Sequence, residues 1–179
     1  FFKTKIKNLY LIKHESFFDN RGNFIRKFCQ KEFRKFKLDN KISQASTSFN
    51  IHRGTLRGFH YQIFPYSEAK TVSCIQGAVY DVVVDLRRGS KTFMKWASFT
   101  LKAKDNKSIY IPKGCGHAFL TLNKNTLINY YFSEKHMPQY GAGIKYNDPN
   151  FGFIWPFNFL LKVFIPIGTT SFLILILAL

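Results

Sequence analysis

The chain has 179 residues, of which 27 are Lys or Arg and 10 are Asp or Glu, giving a formal charge of +17, and it carries 21 Phe, 9 Tyr, 2 Trp and three cysteines. An apolar content of 46% supports a core and excludes a disordered polyelectrolyte, and the length is that of one domain with room for a tail. Cys29, Cys74 and Cys115 form no CxxC or Cys/His cluster, which excludes a disulfide scaffold, a zinc ribbon and a thioredoxin-like site and points to a reducing compartment, the cytoplasm.

The first residues, Phe1 to Lys5, lack the basic-then-apolar order of a signal peptide, and the absence of Met reads as a start slightly inside the natural one. Eleven of the 27 basic residues fall in the first 37 positions. Arg26, Lys27, Lys31, Arg34 and Lys35, interleaved with Phe28, Phe33 and Phe36, have the make-up of a nucleic-acid-binding helix. Lys-rich usage runs through the whole chain, however, so solvated lysines and a small anionic ligand explain the charge better, and no specific nucleic-acid partner is expected. The spacing predicts a short surface helix over 30–38, with Phe33 and Phe36 on its buried side.

From residue 42 to 133, short β-rich runs alternate with turn residues at a spacing of roughly 8 to 12, the pattern of an all-β sandwich or barrel. Strands are predicted over 55–62, 70–75, 78–86, 96–101, 108–111, 118–122 and 126–132. Within 78–86, alternation sets Asp81, Val83 and Asp85 on one face and Val82, Val84 and Leu86 on the other. Two carboxylates on one strand face fit either a polar-lined barrel interior or an exposed face.

After Trp155 and Pro156 the composition breaks, and Lys162 is the only charged residue that remains. Residues 159–179 are long enough to span a bilayer of ~30 Å, but Lys162, Pro166 and Gly168 interrupt them and argue against a spanning helix. Three readings stay open for 158–179: a membrane anchor, a packing tail, and a tail that has lost its original coding, as after a frame shift.

Two segments set a histidine among glycines and strand residues, one running from Gly54 to Gln62 around His60 and one from Ile111 to Phe119 around His117. The Pro-Lys-Gly-Cys-Gly-His117 turn reads as half a cupin. Its usual partner, a His-x-His pair, is missing, and two histidines fall short of the three protein ligands a divalent ion needs. No metal is expected.

Taken in order, Arg21-Gly22, Gln44, Thr55-Leu-Arg57-Gly-Phe-His60-Tyr-Gln62, Glu68-Ala-Lys70, the run from Gly77 to Arg87, Ser90 to Phe93, Ile111 to Gly114, His117, Tyr130 and the segment from Asn147 to Pro156 resemble the dTDP-4-dehydrorhamnose 3,5-epimerase family. The resemblance implies an all-β, cupin-type jelly-roll barrel over residues 1–157 with a few short peripheral helices, followed by the divergent tail. It also implies a homodimer that needs no cofactor and acts on a nucleotide-linked 4-keto-6-deoxy sugar in cell-surface polysaccharide biosynthesis. By the resemblance, His60 is the base, Lys70 stabilises the enolate at O4, and Tyr130 returns the proton. Arg21, Phe24, Gln44 and Arg57 contact the substrate, and His117 shapes the site. A non-catalytic nucleotide-sugar-binding module and a sugar ketoisomerase on the same architecture are the alternatives.

The sequence departs from the family pattern at three places. The acid that orients the catalytic histidine, expected shortly after the Trp-Pro pair, has no counterpart, and Asp148 is the last carboxylate side chain. Asp81 and Asp85 are the candidate substitutes as partner of His60, and without one of them weak activity is expected. Arg26 stands where the family has Glu, and Lys135-His136-Met137 replaces an aromatic pair.

Overall fold

The structure is a computed structural model that describes residues 1–157 and the backbone of residues 161–163, so the tail readings lie almost wholly outside the described residues. In chain order the elements are β1 (Phe2–Lys3), β2 (Tyr10–Lys13), β3 (Ser16–Asp19), β4 (Gly22–Ile25), the helix α1 (Gln30–Lys35), β5 (Gln44–Asn50), β6 (Thr55–Gln62), β7 (Lys70–Gln76), β8 (Ala78–Asp85), β9 (Trp96–Lys102), β10 (Lys107–Ile111), β11 (Cys115–Thr121), β12 (Thr126–Phe132), β13 (Gly141–Gly143) and β14 (Leu161–Val163). Two single-turn 3-10 helices lie at Ala103–Asp105 and Pro138–Tyr140.

One sheet runs β1-β2-β10-β7-β12-β5 and the other β13-β6-β11-β8-β9, with β14 parallel to β6, and β3 and β4 form a separate hairpin. The sheets face each other across one core, to which the first gives Val72, Ile109, Ile111 and Ile128 and the second gives Val79, Val83, Leu101 and Phe119. This is the jelly-roll arrangement of an all-β protein, and every strand predicted after residue 54 is present to within a few residues at its ends. The β8 alternation resolves toward burial on both faces. Val82 and Val84 lie under Phe59, Phe151, Phe153 and Trp155, while Asp81 and Asp85 are fully buried, so the exposed-face reading is overturned. The segment after Asn147 covers the outside of this sheet, which is why a strand with apolar residues on its outward face is stable there.

The helix is shorter than predicted. Phe33 is buried on Tyr110 and Phe28, and the more exposed Phe36 stacks on Phe1, so the aromatics close the outer face of the first sheet rather than offer a stacking platform. Glu32 in the first turn and Arg34 and Lys35 in the last match the helix dipole.

The register of β6 against β11 decides the interior. His60 pairs with His117 and Arg57 with Phe119, so Gly58 and Phe59 together face Ala118, a two-for-one β-bulge. Without it, strict alternation would turn Arg57 and His60 to opposite faces. With it, both face inward while Phe59 joins the outer cluster. Glycine is required at 58, because φ is +107° and a Cβ there would collide with the His117 carbonyl oxygen and lie 2.7 Å from the Ala118 Cα. A Gly58→Ala variant is expected to lose about 3 kcal/mol or more of stability, read as a fall in the urea midpoint, since strain and overpacking add.

Candidate active site

Two cavities of about 210 and 230 Å³ meet at a wall made by Ser46, His60 and Phe132. The first is lined also by Gln44, Gln62, Glu68, Lys70, Glu134 and His136. The second is lined by Arg57, Gly58, Phe119 and Tyr130. The barrel interior therefore brings together five of the predicted site residues, His60, Lys70, Tyr130, Gln44 and Arg57.

Each is held by its own neighbours. Lys70, which opens β7, is buried to 2% exposure; its Nζ lies 3.0 Å from Glu68 Oε1, donates to the His60 carbonyl oxygen at 3.3 Å and stands 5.9 Å from the Phe132 ring centre. Arg57 Nε donates to Asn50 Oδ1 at 2.8 Å, and Asn50 is fixed in turn by donating to the Thr126 carbonyl oxygen. Tyr130 stacks on Phe132 and meets the His117 ring edge-on at 6.4 Å. Gln62 donates to the carbonyl oxygens of Tyr66 and Lys135 and accepts from the Met137 N–H, and Gln44 accepts from the His136 N–H. These bonds seat the Lys135 to Met137 segment at the cavity mouth, where His136 becomes part of the lining.

The electrostatics follow from burial and like charge. Desolvation, then Lys70, His117 and Arg57, hold the His60 imidazole well below its usual value, so it is neutral at physiological pH. Burial, aided by Asp81, pushes the Tyr130 phenol up, so it keeps its proton. His60 Nδ1 is buried without a hydrogen-bond partner among the described residues.

Neither proposed substitute partners that nitrogen. Asp81 Oδ2 lies 2.9 Å from His117 Nε2 in a pair with no exposure, because β8 and β11 are direct neighbours and their inward side chains meet before β6 is reached. Asp85, at the end of β8, accepts from Arg87, Ser90 and Thr92; burial raises its carboxyl, but these bonds outweigh burial and hold it at about 2. His117 lines neither cavity, and its ring centre lies 6.0 Å from that of His60.

Arg21 and Phe24 stand apart from these five residues within the chain. Both sit on the β3–β4 hairpin, where the Arg21 side chain is 84% exposed and paired with Asp19, and Phe24 is 70% exposed. A polar turn joins the two short strands of this separate hairpin, and neither residue lines either of the two cavities. Arg26 pairs with Glu32 on the surface.

The sequence reading assigned no role to Ser46, Glu68, Glu134 or His136. Glu68 was legible in principle, since Glu68 and Lys70 are two apart in extended chain and face the same side. The described residues contain no group of three or more His, Cys, Asp or Glu suited to a metal ion. Nor does any helix among them have the length and apolarity to cross a membrane.

A family model described as dTDP-4-dehydrorhamnose 3,5-epimerase matches residues 3–169. A protein of that name from Sinorhizobium fredii is 36% identical over 156 residues, which span 87% of this chain and 80% of the relative. A dTDP-4-dehydrorhamnose 3,5-epimerase from Bacillus anthracis, crystallised with TDP and PPi bound, superposes with a TM-score of 0.83 at 32% identity, covering 92% of this chain and 91% of that one. The Legionella pneumophila dTDP-6-deoxy-D-glucose-3,5-epimerase, solved in complex with dTDP-4-keto-L-rhamnose, gives a TM-score of 0.81 at 32% identity over 86% of this chain and 81% of the other.

Two buried histidines set a pH response. Burial and Lys27 lower His14, which hydrogen-bonds Ser108 on the far face of the first sheet, from 6.5 to about 4, and His60 is lowered as well. Unfolded chains take up these protons first, so the stability they confer is complete above pH 6.5 and falls as pH drops, with the His14 share, on the order of 3 kcal/mol, exhausted below about 4. Urea midpoints measured from pH 7 to pH 4.5 are expected to decline, and a His60→Asn variant to decline less steeply.

Proposed function

Because the chain belongs to the dTDP-4-dehydrorhamnose 3,5-epimerase family, isomerases of dTDP-rhamnose biosynthesis, we propose that His60, Lys70 and Tyr130 carry out the proton transfers of that reaction on a nucleotide-linked 4-keto-6-deoxy sugar. The observation that carries the reading is the position of His60 in the wall shared by two cavities, one holding Lys70 and the other Tyr130.

Protons at C3 and C5 are acidic because the C4 ketone accepts the charge as an enolate. A neutral imidazole removes such a proton, an effect of roughly 10²- to 10⁴-fold. The Lys70 ammonium, in a nearly dry wall, meets the charge that develops on O4, where a fixed donor acts most strongly. Tyr130, still protonated, supplies the proton to the opposite face. Arg57 holds a phosphate or sugar oxygen with the guanidinium nitrogens not used by Asn50, and Gln44 hydrogen-bonds the substrate. The ketone is its own electron sink, so the chemistry calls for no cofactor. The three cysteines, all unpaired, support a cytoplasmic setting.

The unpartnered Nδ1 of His60 supports low turnover. A carboxylate at that nitrogen fixes the tautomer and steadies the imidazolium, and loss of such a partner in a serine-protease triad costs on the order of 10⁴. Here the nearby cations Lys70 and Arg57 oppose protonation further. In heavy water, deuterium is expected to enter C3 and C5 of dTDP-4-keto-6-deoxyglucose slowly, at least ~10²-fold below the Sinorhizobium fredii relative, and His60→Asn is expected to abolish what remains. Exchange as fast as the relative's would overturn the impaired-base reading, and exchange unaffected by His60→Asn would overturn the base.

Arg21 and Phe24 reach a substrate only in a second copy, which supports a homodimer whose exposed hairpins, bearing Phe17, Phe18 and Phe24, dock on the partner's cavity mouth. Mixing an Arg21→Ala chain with a His60→Asn chain is then expected to restore activity that neither has alone, because one site in the mixed dimer keeps both residues; no restoration would place Arg21 outside the site.

A further inference from the structure

We propose that Glu68 is a positioning residue for Lys70: it fixes the ammonium so that one of its three N–H groups is left pointing to the oxygen of the enolate. The inference rests on the epimerase reading above and assigns a role to a residue which that reading leaves idle.

A lysine ammonium has three N–H groups on a flexible four-carbon stem, so by itself it is a poorly aimed charge. Among the described residues Nζ of Lys70 forms an ion pair with Glu68 Oε1 at 3.0 Å and donates a hydrogen bond to the His60 carbonyl oxygen at 3.3 Å. The ion pair and the hydrogen bond hold the ammonium from two sides and leave donor capacity for a ligand, and Lys70 lines the cavity in which His60 also stands. Both anchors matter for aim, because the second is the backbone of the base itself. The cation and the imidazole are thereby referred to a single frame.

Glu68 is built for this rather than for packing. Its side chain is 5% exposed, and its backbone is fixed next door, where the Ala69 N–H donates to Ser133 Oγ at 2.8 Å and the Ser133 N–H donates to the Ala69 carbonyl oxygen at 2.9 Å. A salt bridge kept only for stability would satisfy both carboxylate oxygens, yet Glu68 Oε2 is buried without a hydrogen-bond partner among the described residues, a cost that an apolar pair at the same place would not carry. The other carboxylate of the lining, Glu134, is more exposed and bonds Lys41 and the Lys135 N–H, so it does not share this task.

One oxyanion at C4 serves proton removal at both C3 and C5, and this makes the role separable from a merely structural one. Deuterium wash-in is followed at each carbon for the wild type, Glu68→Gln, Lys70→Met and the double variant, with kcat and KM for dTDP-4-keto-6-deoxyglucose. Glu68→Gln is expected to lower kcat by at least ~30-fold, to change KM less than ~3-fold, and to slow both carbons by the same factor. Added to Lys70→Met it is expected to cost nothing more, since the group it aims is gone. Should Glu68→Gln fail to fold, Glu68→Asp carries the test: the charge stays, the reach shortens, and kcat is expected to fall at constant KM. A wild-type kcat in the folded variant, a change confined to KM, unequal slowing at the two carbons, or a full further loss on top of Lys70→Met would each overturn the inference alone. A wild type with no exchange at either carbon would overturn the epimerase reading and this inference with it.

Discussion

The interior of this barrel depends on one irregularity of pairing, the two residues Gly58 and Phe59 of β6 set against the single Ala118 of β11. A regular strand presents every second side chain to the core, which would have sent either Arg57 or His60 to the outside. The bulge spends its extra residue on the outward face, where Phe59 locks under Phe153 and Trp155, and so delivers a guanidinium and an imidazole to the same interior. The apolar outer layer is thus a working part of the site. It anchors the residue whose displacement lets its neighbour turn inward.

Once inside, the polar groups sort by strand adjacency. β8 and β11 lie side by side, so Asp81 and His117 satisfy each other, and Asp85 is absorbed by the Arg87 to Thr92 turn. β6 lies one strand further out, and its His60 is left beside the cations Lys70 and Arg57, with no hydrogen-bond partner for Nδ1 among the described residues. The imidazole is therefore well suited to be neutral at rest and poorly suited to hold a proton once it has taken one. That asymmetry is a property of the charges around it, independent of any ligand.

How much of this was readable in the amino-acid order varied with how far hydrophobic alternation reported on burial. β6 to β12 were legible because their core faces carry Val, Ile, Leu and Phe at period two. β5 was not: its inward side chains are Gln44, Ser46 and Ser48, polar because that strand walls the cavities rather than the core, so the feature that made it functional removed the signal for it. The shared interior of His60, Lys70, Tyr130, Arg57 and Gln44 could be anticipated from the family motifs. The destinations of Asp81 and Asp85 could not, since sequence gives a strand's face but not its neighbour. For Arg21 and Phe24 the resemblance implied a substrate contact, while the chain's own fold sets them on an exposed hairpin apart from the two cavities.

The outer edge of β6 is occupied twice over, by β13 running antiparallel along Gln62 to His60 and by the backbone of Leu161 to Val163 running parallel along Thr55 to Arg57. A strand with bare amide and carbonyl groups on its rim is a template for self-association between molecules. Three residues far down a hydrophobic sequence thus act as a selvage for the sheet, and a chain cut short of them would expose a raw hem beside the strand that carries His60, prone to stitch onto the next copy.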